Sequence, residues 1–206
     1  MLSAILALAM PSDIIGQSQK SKPDNIVDSD CPTPELRAYR IKYTNQYVNR
    51  NYGYSVVIPK GMVGLGATYG APNHGFTICF RNHHGELRGS LWVSAQYDAS
   101  FFGSVEKIVH FDVAEIKGEH PDMHLTKKQT ETFQGLPAIR TVARYHLEGG
   151  PGAVLEETIT AFRRRPNEDA GIEYSIGLRT TNHHYRDDVS KLQAMAKSFH
   201  LLPAPK

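Results

Sequence analysis

The sequence is poor in cysteine, tryptophan and net charge, and it has no long hydrophobic run. Lys and Arg total 23 against 21 Asp and Glu, a formal charge of +2. That balance excludes the strongly basic surface on which nucleic-acid binding depends. No stretch reaches the eighteen or so apolar residues of a membrane-spanning helix, so no stable membrane insertion is expected. No Gly-x-Ser-x-Gly elbow occurs, which removes the usual serine-hydrolase arrangement. The glycine-rich stretch 61–75 lacks a Gly-Lys-Ser/Thr ending and a following helix pattern, so it is not a phosphate loop. The two cysteines fall in a polar arm (Cys31) and a strand (Cys79). Neither sits at a helix start that would lower a thiol pKa, so a cysteine nucleophile is not expected. What is present, 40% hydrophobic and 21% charged residues in 206, is the make-up of one globular domain with its own core.

Residues 2–10 form an uncharged apolar run followed by a polar stretch. This reads as the hydrophobic part of an export signal over 1–18, with Gly16 and Ser18 as small residues for cleavage. The basic start is missing, the first basic residue being Lys20, and the alternative is a helix that docks on the domain. Export places the chain in the periplasm or outside the cell if its source is bacterial. In such an oxidising compartment Cys31 and Cys79 can form a disulfide. Two unrelated thiols remain the other reading, because spacing does not establish geometry. Residues 19–38, rich in Ser, Lys, Pro and Asp, read as a flexible polar arm, and 39–206 as a single domain.

Alternating apolar residues predict strands at 43–48, 52–58, 76–80 and 91–97, with 61–75 a long loop between the second and third. Val105, Ile108, Val109, Val113 and Ile116 share one helical face, with Ser104 as cap and Gly118 as stop. Strands at 125–133 and 138–146 flank a turn at 134–137, and strands at 154–162 and 172–178 flank a polar turn that includes Arg163, Arg164 and Arg165. A final helix at 183–200 carries Tyr185, Val189, Leu192, Met195 and Phe199 in one stripe, capped by Thr181 or Asn182. Strands, a helix, more strands and a helix predict an α+β fold, an antiparallel sheet with helices on its faces.

The segment Tyr52-Gly53-Tyr54-Ser55-Val56-Val57-Ile58-Pro59 resembles the aromatic-Gly-aromatic-Ser opening of Mog1/PsbP-like domains. Phe133-Gln134-Gly135-Leu136-Pro137-Ala138 is similar to the turn between their central strands. The strand 174–180 and the helix ending Lys197-Ser198-Phe199 resemble their close, so the likeness spans 43–202. It implies a bent antiparallel sheet flanked by helices, an α/β/α sandwich, here in an exported bacterial branch. It also implies a function by binding other proteins, as in photosystem subunits, a small-GTPase regulator and secretion-effector adaptors. The family has no common catalytic motif, so the resemblance implies no catalytic residues, no cofactor and no enzyme.

Ten histidines make a metal site the main rival. The pairs His83-His84 and His183-His184 point their rings apart on regular backbone, and Pro121 breaks the i, i+4 spacing of His120 and His124. A histidine-based metal protein or small metalloenzyme is therefore the alternative reading. Glu156 and Glu157 alternate faces on a strand, so only one of them can enter a site. Loops longer than about twelve residues are often functional, and 61–75 leads into Asn73-His74-Gly75. The expected partner-binding residues are Tyr69, Asn73, His74, His83, His84 and Trp92. Their expected role is to bury exposed aromatics against a protein partner, as an immunity-type toxin neutraliser or in envelope assembly.

Overall fold

Strict alternation sets the centre of the fold. Ile172, Tyr174, Ile176 and Leu178 are all buried on one face of β10 (Gly171–Thr181). The structure is a computed structural model that describes residues 31–33, 36–68, 74–97, 102–147, 152–165 and 171–203. In it β10 pairs antiparallel with β6 (Leu87–Tyr97) on one side and β9 (Ala153–Arg164) on the other. Beyond β6 lie β5 (Gly75–Arg81), β4 (Gly64–Thr68) and β1 (Arg40–Tyr43). Beyond β9 lie β8 (Leu136–His146) and β7 (His124–Phe133). The eight strands run β1-β4-β5-β6-β10-β9-β8-β7. A smaller sheet joins β11 (His200–Leu201), β3 (Tyr54–Val57) and β2 (Gln46–Asn49).

One face of the large sheet is covered throughout its middle by α2 (Tyr185–Ser198) and the small sheet. Phe199 is the meeting point: its ring stacks on Tyr54 at 5.2 Å and touches Phe133 and Tyr174. Burial of an aromatic of this size removes some 150–250 Å² from water. The start of α2 is pinned by Asp188, which is fully buried. It accepts hydrogen bonds from Arg88 Nη1 at 2.5 Å, Lys191 Nζ at 2.8 Å and Thr180 Oγ1 at 2.9 Å. The two cations hold the Asp188 carboxyl below its usual range against the opposing effect of burial. A buried carboxylate is tolerated only when saturated in this way.

The other face carries α1 (Val105–Glu119), whose Val105, Ile108 and Val109 pack on Ile139 and Phe162. Ser104 caps it, its side chain accepting from the Lys107 backbone N–H. This helix packs on β8 and β9. Toward β5 the cover comes instead from the start of the described chain, which a Cys31–Cys79 disulfide holds to β5 with a Cα–Cα distance of 5.6 Å. Arg81 tightens that attachment by donating to the carbonyls of Cys31 and Pro32.

Five local expectations are corrected. The stretch 61–75 is not all loop, since 64–68 forms β4. The strand read at 43–48 is broken into β1 and β2 by Asn45, which has φ of 65°. The turn at 134–137 is two residues long, Gln134 and Gly135, both with positive φ (52° and 80°); this is the geometry that matches strand twist in a tight hairpin, and it leaves Leu136 and Pro137 inside β8. Finally, α2 follows His184 with no side-chain cap, so neither Thr181 nor Asn182 serves, and Arg163 and Arg164 extend β9 instead of forming a tip.

The disulfide spans 48 residues, and loop-entropy arithmetic puts its contribution at about 4 kcal/mol. The double variant Cys31→Ser, Cys79→Ser should therefore lose roughly that much stability in chemical denaturation, and an unchanged midpoint would show that the bond does not constrain the unfolded chain.

Candidate functional site

The half of the α1 face that α1 leaves open is a floor of small and hydroxyl side chains around a single indole. Trp92 on β6 faces Thr77 on β5 and Gly177 on β10, and the next row pairs Ser94 with Ser175. A Cβ at Gly177 would meet the Trp92 ring at 2.0 Å. Glycine at this one position is what lets the indole lie flat across β10. Half-buried in this way, Trp92 offers one ring face to whatever approaches.

Beside it, β4 registers with β5 at Leu65↔Thr77. Where the two strands diverge beyond that pair lies a cleft of about 320 Å³. Leu65, Ala67, Phe76 and Trp92 give it apolar walls, and Arg40, His74, Thr77 and Ser94 give it polar ones. Its size is at the small end of ligand and side-chain pockets. Arg40 is oriented by donating to the Gly66 carbonyl at 3.2 Å.

His74 Nδ1 lies 3.0 Å from the Ala95 carbonyl and 3.0 Å from the Tyr52 hydroxyl. A carbonyl only accepts, so Nδ1 carries the proton in that contact. Tyr52 packs between His74 and Tyr97, with ring centroids at 5.3 and 5.1 Å. Burial first, and the nearby Tyr97 second, push the Tyr52 phenol above its usual pKa. Arg165 covers the other side of Tyr97 at 4.6 Å. The cleft thus opens at one end onto an aromatic cluster capped by a guanidinium.

Of the residues expected from sequence to form one face, the structure brings His74 and Trp92 together on this cleft. Tyr69 and Asn73 lie outside the described residues. His83 and His84 do not join the cleft. They sit in the turn at the opposite end of β5, the seven residues of which span about 23 Å at the usual strand rise. Their rings lie against each other at 3.8 Å.

Sequence reading missed the charged groups around this face. Arg37 and Arg81 stand close enough that burial, and then the Arg37 charge, push the Arg81 pKa down. The Nε atoms of both are buried without a hydrogen-bond partner. On α1, Asp112 is half-buried and its carboxyl is pushed up to about 7, first by burial, then by the charges of Glu173, Glu115 and Glu156. Nothing in the sequence distinguishes these residues from ordinary surface charges; only the topology places them.

The adjacent Glu156 and Glu157 do occupy opposite faces, and both are engaged. Glu156 accepts from Tyr145 at 2.6 Å and Arg179 at 2.8 Å. Glu157 accepts from Arg140 at 2.7 Å and from the Tyr185 hydroxyl. Among the described residues no group of three or more His, Cys, Asp or Glu converges as metal ligands do. His120 instead stacks on Tyr145 at 4.3 Å.

Comparison with solved structures fixes the architecture. The chain is similar to LpqN of Mycobacterium tuberculosis, a protein involved in cell envelope biogenesis. The TM-score is 0.56 at 12% identity, over 80% of this chain and 92% of that one. The fold is Mog1/PsbP-like. Cyanobacterial PsbP from Synechocystis matches with a TM-score of 0.49 at 14% identity, over 83% of this chain and 96% of that one. The Ran-binding protein Mog1p of Saccharomyces cerevisiae matches with a TM-score of 0.44 at 13% identity, over 79% and 95%. No sequence-family model matches the chain, and no curated protein is similar to it in sequence. No helix among the described residues is long and apolar enough to cross a membrane.

The raised pKa of Asp112 has a defined consequence for stability. The folded chain holds this proton more tightly than the unfolded one, so the associated stability is full below about pH 4 and is lost as pH rises through about 7. Asp112→Asn, which cannot ionise, should melt higher than the parent at pH 8 and alike at pH 4; equal melting temperatures at both pH values would show that the carboxyl is not under strain from its acidic neighbours.

Proposed function

We propose that this chain is an exported, non-enzymatic protein-binding module, and that the Trp92 and His74 cleft on the half-covered face is where the partner docks. The observation that carries this reading is the cleft itself. A tryptophan held flat over Gly177 beside a pocket of side-chain size is the arrangement of an interface anchor, where aromatic residues dominate binding energy. Hydroxyls and backbone groups around the ring supply polar contacts for such a partner. The disulfide is in keeping with an oxidising compartment and therefore with export, and the fold occurs in an envelope-biogenesis protein. The partner is a protein met outside the cytoplasm, either a toxin that this chain neutralises or a component of an envelope assembly.

A photo-crosslinkable residue placed at position 67, on the cleft wall, should capture one protein in intact cells. The same residue at position 106, on the outer surface of α1, should not. Adding Trp92→Ala should remove the product from position 67 while the melting temperature shows the domain still folded; a crosslink indifferent to Trp92 would move the docking face elsewhere. For export, the chain purified from cells should weigh about two kilodaltons less than its full sequence, the mass of a removed signal, and a full-length mass would refute processing.

A further inference from the structure

We propose that the partner enters the cleft as an extended acidic segment, one large apolar side chain filling the space beside Trp92 and its carboxylates lying along the arginines next to it. This inference rests on the reading of the face as a protein-binding surface and adds the chemistry of what binds. Three guanidinium groups lie on this side of the molecule, one at the cleft, one a turn before it in sequence and one at the far end of β5. Arg40 lines the cleft. Arg37 lies one turn earlier, in the short 3-10 segment Leu36–Tyr39. Arg81, beside the disulfide, feels the charge of Arg37. Among the described residues no carboxylate pairs with Arg37 or Arg81, whose Nε atoms are buried without partners.

Elsewhere in the molecule, three partly buried arginines are neutralised: Arg88 by Asp188, Arg140 by Glu131 and Glu157, Arg179 by Glu156. The Arg37–Arg81 pair is the exception among these, two like charges left to repel at reduced dielectric. A carboxylate arriving beside them relieves that repulsion at range, without needing to reach Nε. The cleft fits the apolar part of the same segment. Its 320 Å³ equals the share of roughly ten waters, enough for one large side chain, and its walls follow the edges of two diverging strands, which suits an extended backbone.

The test uses the indole of Trp92, the only tryptophan in the chain, as reporter. An acetylated, amidated hexapeptide of sequence DEIFDE is titrated into the full chain, with KRIFKR as its charge-reversed control. The acidic peptide should shift the Trp92 emission saturably, about tenfold more weakly at 0.5 M salt, and the basic one should give no shift. Arg37→Glu removes no hydrogen bond of its own Nε and should weaken the acidic peptide about tenfold at a melting temperature no lower than the parent's. Equal affinity for the two peptides, no shift with millimolar DEIFDE, or an affinity unchanged in Arg37→Glu overturns the proposal.

The chain's own residues 24–30 carry Asp24, Asp28 and Asp30 around Ile26 and Val27 and precede the disulfide. If deleting residues 1–30 raises DEIFDE affinity about tenfold, and a synthetic peptide of 24–30 restores competition, the occupant is the chain's own arm and the partner proposal is overturned. Failure of the underlying reading looks different. A position-67 crosslink lost in Trp92→Ala but kept in Arg37→Glu leaves the docking face intact and removes only the acidic segment. A crosslink insensitive to Trp92 removes the face as well.

Discussion

An eight-stranded sheet presents more surface than one short helix can cover, and much of this molecule follows from that mismatch. Eight strands spaced about 4.8 Å apart are roughly 34 Å wide. The fifteen residues of α1 make a cylinder about 22 Å long and 10–12 Å across. On the opposite face the shortfall is met by α2 together with a second sheet, and the core there is continuous from Tyr47 to Phe199. On the α1 side nothing comparable stands among the described residues. The apolar residues concentrate under the helix on β8 and β9, and the remainder of the face is built from Ser, Thr and Gly with Trp92 laid over them. The disulfide then ties the beginning of the described chain across what is left. Among the described residues the face is only half covered, and the cleft lies on the half that α1 leaves open.

The covered face has the opposite character, since its polar groups are saturated. Asp188 has three donors, and Glu157 is shared between Arg140 and Tyr185. Such networks hold one arrangement of helix and sheet because breaking any member strands a charge out of water. This makes α2 and the small sheet a rigid backing for the half-covered face. The Tyr174 hydroxyl donates to the Tyr52 carbonyl at 2.7 Å and that of Tyr54 to the His74 carbonyl at 2.8 Å, so the backbone carrying His74 is fixed from the core side.

The elements with a clear period were legible in the sequence: β10 through Ile172, Tyr174, Ile176 and Leu178, α1 through its one-sided valines and isoleucines, and α2 through the stripe ending at Phe199. So was the opposition of Glu156 and Glu157, which follows from strand pleat alone. What was not legible had no local signal. β4 reads Gly-Leu-Gly-Ala-Thr, with a single large apolar residue and no alternation to detect. Asn45 breaks a strand through a backbone angle that composition does not announce. His74 and Trp92 stood out because a long loop and a lone tryptophan are visible in sequence, and the two share one cleft. His83 and His84 were grouped with them by nearness along the chain, and strand length separates them in space. Arg37, Arg81 and Asp112 matter through who their neighbours are, which a single sequence does not encode.

The glycines that hide β4 from sequence reading are also what shape the cleft. A Cβ at Gly64 would meet the Phe76 ring at 2.6 Å, and one at Gly66 the Tyr43 ring at the same distance. On that side of β4 the aromatic rings of its neighbours stand where its own side chains would be. The alternate residues, Leu65 and Ala67, then turn to the half-covered face and form the cleft wall. A strand with ordinary side chains at 64 and 66 would have to stand off from Phe76 and Tyr43, carrying Leu65 and Ala67 away from Trp92 with it. The absence of a hydrophobic pattern here is thus the local condition for packing β4 tightly enough to place a wall beside the indole. A segment that looks unstructured in sequence is held in place by what its neighbours contribute.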